Sequence, residues 1–266
     1  MRKKMLTALL FLALPVPAVA GPFEDLATVE VLPGWRAANG DHIAGLRITL
    51  EEGWKTYWRA PGDAGIPPQF SFTGSDNITS VTPHWPVPRI FDQNGMRSIG
   101  YTESVVVPIT VASRDAAAPI RISGDLHIGV CEDICIPVSL SFDAMLPVTG
   151  SRDTSITAAL VNRPLSEAEA NVGAVTCAIA PISDGLRVTA AIDMPATGTT
   201  EVVVIETADP LVWVSEADVA RTGDRLLATV DMVHTSGAAF ALDRSAMRIT
   251  VLGTQNAVDI RGCSAG

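Results

Sequence analysis

Apolar residues recur at every second position in many short segments of this chain, and Gly, Pro, Asp and Asn separate these segments. A period of two is typical of β-strands with one buried face, and the separating residues are typical of turns. A helical pattern is found at residues 155–170 alone. The pattern therefore predicts an all-β protein, and the number of strands fits two tandem β-sandwich domains.

The 266 residues are enough for two domains of ordinary size after a short leader. The first predicted sandwich spans residues 22–148, and a linker follows at residues 149–153. The second predicted domain spans residues 154–266. Its strands are expected near residues 174–180, 186–192, 201–206, 226–233, 247–252 and 257–261.

The first twenty residues predict a secretory signal peptide. Basic residues at 2–4 precede an apolar run at 6–14 and a small-residue exit at 18–20. The apolar run is too short to span a bilayer, so the mature protein is expected to be exported and soluble. The formal net charge of −10 becomes more negative once the leader is removed, which argues against nucleic acid and anionic membranes as partners.

Cys131 and Cys135 stand between two segments of alternating apolar residues. In one extended strand these cysteines would lie about 13 Å apart, whereas a disulfide needs Cα atoms within about 7 Å. The chain must therefore turn if they pair. The three residues between them are predicted to form the tip of a β-hairpin, with the cysteines facing each other across its first pair.

Four cysteines in an exported chain favour two disulfides, and three pairings are possible. Locality favours Cys131 with Cys135 and Cys177 with Cys263. The chain-entropy model gives about 2 kcal/mol for the short loop and about 4.6 kcal/mol for the long one. The Cys177–Cys263 bond is therefore predicted to be structural and the Cys131–Cys135 bond to exchange, with a passive local staple as the alternative.

Residues near the pair in sequence affect its expected chemistry. Glu132 and Asp133 disfavour a thiolate, so the pair is expected to react inside a complex with a partner. His127 is predicted to share a strand face with Cys131. Three roles are open for His127: a base, the third ligand of a Cu(I) site with both cysteines, or an ordinary strand residue. No metal or cofactor is assigned, and the motifs of hydrolases and nucleotide-binding enzymes are absent.

Five segments form a further pattern: AGLRITLEEGWKTYWRAPGDAGIP at 44–67, WP at 85–86, FD at 91–92, SIGY at 98–101 and GVCEDICIP at 129–137. Together they resemble the periplasmic N-terminal domain of DsbD-type thiol:disulfide interchange proteins, in particular the ScsB-like branch. The resemblance implies immunoglobulin-like domains in the periplasm. It also implies a cysteine pair that takes electrons from a membrane-embedded DsbD- or CcdA-like donor and passes them to thioredoxin-like proteins.

The resemblance also implies roles for residues around the cysteines. Tyr57 matches an active-site aromatic residue, although such a residue is also common in sandwich packing. Residues 91–96 match a cap loop, in which Phe91 is expected to be the shield and Asp92 to influence the cysteine pKa values. The family pattern favours Cys135 as the less exposed cysteine.

The sequence shows no electron-carrying membrane domain and no thioredoxin-like domain, so these functions are expected on other chains. A non-catalytic adaptor or chaperone with inert cysteines is the alternative from another functional class. The copper-handling protein that uses Cys131, Cys135 and His127 is the second alternative.

Overall fold

The computed structural model describes residues 26–63, 65–93 and 95–266. The predicted signal peptide lies outside the described residues. Within the described ranges, no helix has the length and apolar character needed to cross a membrane. Most of the described chain forms antiparallel strands in four sheets, two for each half, which confirms the all-β class with two tandem sandwich domains.

The first domain contains ten strands. They are β1 (Ala27–Arg36), β2 (His42–Leu50), β3 (Lys55–Tyr57), β4 (Gln69–Ser71), β5 (Ile78–Pro83), β6 (Arg89–Gln93), β7 (Met96–Thr102), β8 (Ser104–Ser113), β9 (Ile120–Cys131) and β10 (Cys135–Leu146). One sheet has the order β1-β2-β8-β5. The other has the order β10-β9-β3-β7-β6, and β4 pairs with β9 beyond the end of β3. The short strand β3 therefore lies at the centre of the sheet that carries the cysteines.

The core of the first domain lies between its two sheets. Alternate side chains of β2, β8 and β9 are fully buried there, as their period of two requires. Trp58, directly after β3, is also fully buried. Three apolar residues of the second domain pack into the same cluster: Val202, Leu252 and Ala257. The two domains therefore share apolar contacts.

The second domain contains the remaining strands. They are β11 (Leu165–Ser166), β12 (Val175–Pro181), β13 (Leu186–Asp193), β14 (Glu201–Glu206), β15 (Val212–Val214), β16 (Asp218–Thr222), β17 (Arg225–His234), β18 (Arg248–Gly253), β19 (Ala257–Arg261) and β20 (Ser264–Ala265). The sheet orders are β11-β19-β18-β14 and β15-β17-β13-β12-β20, with β16 also paired to β17. All six predicted strands of this domain are present.

The predicted helix at residues 155–170 is too long. Helix α1 spans Thr154–Val161, with the Asp153 carboxylate accepting from two backbone N–H groups at its start. Pro164 has no N–H and restricts the residue before it, so the helix cannot continue. The chain then forms β11. The domain boundary at residue 154 remains a prediction, and Ile156 of α1 packs against Gly45 in the first domain.

Arg59 forms a polar contact between the two domains. Its guanidinium lies 3.7 Å from the ring centroid of Trp58. It donates to both carboxylate oxygens of Glu206 at 2.9–3.1 Å and to Thr250 Oγ1 at 2.9 Å. Removal of either member of such a largely buried charge pair is costly, because the other charge loses its partner. The residues that follow β3 are thus held against the second domain.

Candidate functional site

Cys131 and Cys135 face each other at the turn end of the β9–β10 hairpin, as the alternation predicted. Their sulfurs are bonded, and Cys177 and Cys263 form the second disulfide. The Glu132 N–H donates to the Ile134 carbonyl at 3.2 Å and closes the turn between the cysteines. The site therefore belongs to a regular hairpin whose register brings the two sulfurs together.

The two cysteines differ in exposure, in the reverse of the expected order. Cys131 is 1% exposed, whereas Cys135 is exposed. The sheet order explains the difference, because β10 is the edge strand and β9 has β3 on its other side. A partner thiolate therefore reaches the Cys135 sulfur more easily than the Cys131 sulfur.

Tyr57 contacts both sulfurs from the neighbouring strand. Its hydroxyl donates to Cys131 Sγ at 2.8 Å and lies 3.2 Å from Cys135 Sγ. The side chain is 3% exposed, and this burial raises the pKa of Tyr57. The hydroxyl consequently keeps its proton and remains a hydrogen-bond donor at neutral pH.

A glycine and a loop hold the ring of Tyr57 in place. Gly129 lies opposite the ring on β9, where a Cβ atom would stand 3.1 Å from Tyr57 Cδ2 and 2.7 Å from the Cβ of Ile66. Ile66 belongs to the loop between β3 and β4, which covers this face of the sheet. A larger residue at position 129 would displace the loop, the ring or both.

Lys55 is a site residue that the sequence analysis missed. It lies directly opposite Cys131 in the β3–β9 register and is 7% exposed. Its ammonium donates to Ser98 Oγ at 3.3 Å and lies 5.2 Å from the ring centroid of Phe91. Burial lowers the pKa of Lys55. The available signal was a single charged residue among the aromatic residues of the segment 54–58.

The segment predicted as a cap forms the β6–β7 hairpin. Phe91 is half-buried and lies opposite Ser98, on the side of the sheet that carries Lys55. Asp92 is exposed and pairs with Arg97 at 3.3 Å. Asn94 of this segment lies outside the described residues. The ring of Phe91 therefore lies over the Lys55 ammonium, and Phe91 as the shield of the sulfurs stays a prediction.

Glu132 and Asp133 are both exposed at the hairpin tip. The Glu132 carboxylate lies beside Gly53, where a Cβ atom would stand 2.8 Å from Oε1. Gly53 has φ +87°, a conformation that favours glycine. The two carboxylates thus place exposed acidic side chains at the tip of the hairpin that carries the cysteines.

His127 does not join the cysteines. It is exposed, and its Nδ1 lies 2.7 Å from Ser139 Oγ on the opposite strand. It lies four strand positions before Cys131, which corresponds to about 13 Å. The described part of the chain holds no group of three or more His, Cys, Asp or Glu side chains that could bind a metal. The geometry therefore does not support the copper site.

The second disulfide has different surroundings. Cys177 is fully buried on β12, and Cys263 follows β19 near the end of the chain. The Sγ of Cys263 lies 3.9 Å from the sulfur of Met247. This bond joins two distant parts of the second sandwich, as a structural disulfide does.

The chain is similar to known proteins in both sequence and fold. Residues 28–147 match the family model for the N-terminal region of the thiol:disulfide interchange protein DsbD. The chain is similar to the crystal structure of the N-terminal periplasmic domain of ScsB from Proteus mirabilis, at 22% identity and a TM-score of 0.69. That match covers 93% of this chain and 97% of the other. No curated protein matches the chain.

These findings confirm the resemblance seen in the sequence and the immunoglobulin-like fold that it implies. They also support thiol:disulfide interchange as the general function. The matched residues 28–147 contain Tyr57, Lys55 and both cysteines of the hairpin.

Proposed function

We propose that the protein relays electrons in the periplasm through Cys131 and Cys135, because residues 28–147 match the family model of the DsbD N-terminal region. The donor is a membrane-embedded carrier of the DsbD or CcdA type. The acceptors are periplasmic thioredoxin-like proteins. The periplasmic location rests on the likeness to the N-terminal periplasmic domain of ScsB.

One observation carries the proposal. An exposed residue, Cys135, is bonded to the buried Cys131, whose sulfur already accepts a hydrogen bond from Tyr57. Thiol–disulfide exchange needs one sulfur that a thiolate can reach and a second sulfur that leaves easily. The hairpin offers both in one bond.

The reaction begins when a thiolate of the reduced donor attacks Cys135 Sγ. The Cys131–Cys135 bond breaks, its electron pair moves to Cys131 Sγ, and a mixed disulfide forms between the donor and Cys135. The second thiolate of the donor then attacks the donor sulfur that is bonded to Cys135, and the Cys135 thiolate leaves. The donor leaves as a disulfide, and the pair has gained two electrons and, after protonation, two protons.

Tyr57 acts on the sulfur that leaves. Its hydroxyl hydrogen bond becomes charge-assisted when Cys131 carries a negative charge, and such bonds are about twice as strong as neutral ones. A better stabilised thiolate is a better leaving group. Transfer to an oxidised thioredoxin-like acceptor follows the same steps in reverse, with Cys135 attacking the acceptor disulfide.

Single-cysteine variants test the proposal. Cys131→Ala leaves the exposed Cys135 thiol, which should form a stable mixed disulfide with an oxidised thioredoxin-like protein from the same periplasm. Cys135→Ala is the matched control, because it leaves a thiol that is buried. Adducts are measured by mass spectrometry of the intact proteins.

We expect the Cys131→Ala adduct to form at least about tenfold faster than the Cys135→Ala adduct. Reduced wild-type protein should also transfer both electrons to one or more of the same acceptors. Slow transfer to every acceptor, with no adduct from either variant, would favour the adaptor with inert cysteines.

A further inference from the structure

We propose that the second domain positions the Tyr57 hydroxyl against the hairpin disulfide, and that Arg59 is the residue through which it does so. The inference rests on the proposed interchange function and adds a positioning residue to its site. Arg59 lies two positions after Tyr57 and donates to Glu206 and Thr250 of the second domain. It acts on the disulfide through the tyrosine and takes no part in the exchange itself.

Two glycine backbones hold the two edges of the Tyr57 ring. A Cβ atom on Gly129 of β9 would stand 3.1 Å from Tyr57 Cδ2, and a Cβ atom on Gly65 would stand 2.8 Å from Tyr57 Cδ1. Gly65 belongs to the connection between β3 and β4, residues 58–68. The sheet fixes one edge of the ring and this connection fixes the other. The position of the hydroxyl therefore depends on where the connection lies.

The start of this connection is fixed to β7 by backbone hydrogen bonds. The Trp58 N–H donates to the Ile99 carbonyl at 2.9 Å, and the Ile99 N–H donates to the Pro61 carbonyl at 2.9 Å. Pro61 in turn supports Gly65, where a Cβ atom would stand 2.3 Å from the Cβ of Pro61. Arg59 lies between the two bonded residues. A shift of Arg59 is therefore passed to Pro61 and through it to Gly65.

The guanidinium of Arg59 attaches the connection to a rigid part of the second domain. Glu206 on β14 and Thr250 on β18 accept its hydrogen bonds, and these two strands are neighbours in one sheet. A pair with two parallel hydrogen bonds fixes the orientation of the groups as well as their distance. The side chain of Arg59 is 10% exposed and that of Glu206 is 24% exposed, so water competes little with this contact.

The placement of the hydroxyl matters for the bond that opens. A thiolate attacks Cys135 Sγ, the electron pair of the broken bond moves to Cys131 Sγ, and the Tyr57 hydroxyl donates to that sulfur at 2.8 Å. Hydrogen bonds weaken steeply when the donor turns away from the acceptor, and a displacement of about 1 Å is enough to slow a reaction strongly. Connections between strands are more mobile than the strands. The anchor at Arg59 reduces this mobility next to the ring.

Other contacts keep the two domains together, so the role of Arg59 can be tested separately. Val202, Leu252 and Ala257 of the second domain pack into the core cluster of the first. Arg97 on β7 also pairs with Glu216 of the second domain at 3.3 Å. A change confined to the Arg59 contact is therefore expected to loosen the connection after β3 without separating the domains.

Glu206→Gln in the full chain tests the inference from the side of the second domain. The change keeps the shape of the side chain and removes the charge that Arg59 binds. The measured quantity is the rate at which reduced glutathione opens the Cys131–Cys135 bond, followed by alkylation and mass spectrometry of the intact protein. We expect this rate to fall about threefold, which is part of the roughly tenfold fall expected for Tyr57→Phe.

The double variant Tyr57→Phe/Glu206→Gln separates positioning from a structural role. If the Arg59 contact acts through the hydroxyl, Glu206→Gln slows exchange in the wild-type background and has no further effect in Tyr57→Phe. A structural role gives the same factor in both backgrounds. Thr250→Val removes the other acceptor of Arg59 and keeps the shape of the side chain. It should repeat the pattern, and it replaces Glu206→Gln if that variant does not fold.

Glu201→Gln is the matched control. The Glu201 carboxylate is 7% exposed and accepts from Arg221 at 2.8 Å within the second domain. Its change should lower the melting temperature and leave the exchange rate unchanged.

An unchanged or faster rate in Glu206→Gln overturns the inference, as does equal slowing in the Tyr57→Phe background. Glutathione needs no protein partner, so these results do not depend on the acceptor. Non-additive slowing together with slow transfer to every thioredoxin-like protein would support Arg59 and refute the relay. Fast transfer with additive effects would refute Arg59 alone.

Discussion

The disulfide at the tip of the β9–β10 hairpin joins two residues that already face each other in register, whereas the Cys177–Cys263 disulfide joins β12 to the segment after β19. The first bond closes a loop so short that it removes little entropy from the unfolded chain. The second closes a loop of most of a domain. Loop length alone thus makes the second bond the better staple.

The surroundings differ as well. The hairpin bond includes an exposed cysteine, has a tyrosine hydroxyl near both sulfurs and has a buried lysine paired with Cys131 in the strand register. Cys177 is fully buried in the core of the second sandwich, and Cys263 packs near a methionine. The comparison indicates what makes a disulfide suitable for exchange. One cysteine is exposed to solvent, and a hydrogen-bond donor lies beside the sulfur that leaves.

Removal of each bond in turn should have the largest measurable effect. The double variant Cys177→Ala/Cys263→Ala should lose up to about 4.6 kcal/mol in the free energy of unfolding of the second domain. The matched variant Cys131→Ala/Cys135→Ala should lose about 2 kcal/mol or less in the first domain. Urea unfolding followed by circular dichroism measures both losses.

The same comparison can be made without mutation. Mild dithiothreitol on the folded protein should open the Cys131–Cys135 bond while Cys177–Cys263 stays closed, as read from alkylation and peptide mass. Equal opening of both bonds under native conditions would remove the distinction between an exchanging and a structural pair.

Tyr57→Phe should have the next largest effect. The change removes the hydroxyl at the leaving sulfur and keeps the ring that packs against Gly129, so thiol exchange at the hairpin should slow about tenfold. Because burial raises the pKa of Tyr57, the difference from wild type should persist up to its ordinary pKa, near 10. Exchange rates with glutathione across this pH range measure it.

Tyr101→Phe is the control for that variant. The hydroxyl of Tyr101 donates to the Pro86 carbonyl at 2.8 Å and is buried in the same domain. Its loss should lower stability and leave the exchange rate unchanged. A similar slowing in both variants would mean that Tyr57 acts through the fold and not on the sulfur.

The hairpin and its register were predictable because alternation assigns each residue to a face, and the cysteine spacing then requires a turn. The six predicted strands of the second domain were found for the same reason. Alternation does not reveal which strands become neighbours. The exposure of Cys135 depends on β10 being an edge strand, and the sequence contains no local signal for that position.

Lys55 and His127 also show that alternation does not predict which residues come into contact. The burial of Lys55 depends on the β6–β7 hairpin, which is distant in sequence, so a charged residue in a strand would be expected to be solvated. His127 was correctly assigned to the face of Cys131, but a shared face does not bring two residues into contact at a distance of four strand positions. The helix at residues 155–170 was predicted too long because the pattern was followed beyond Pro164.

Phe91→Ala should have the smallest effect, and it tests whether the two disulfides also differ in shielding. The ring of Phe91 lies over the ammonium of Lys55, whose backbone pairs with that of Cys131, so its removal should admit water and small reagents to this part of the sheet. Alkylation of the reduced hairpin cysteines by iodoacetamide should become a few-fold faster, with little change in the melting temperature, because Phe91 is half-buried in the folded protein. Phe240→Ala in the second domain is the control, since Phe240 packs at the edge of that core and should leave hairpin alkylation unchanged. If Phe91→Ala alkylates at the wild-type rate, the β6–β7 hairpin does not shield the reduced cysteines.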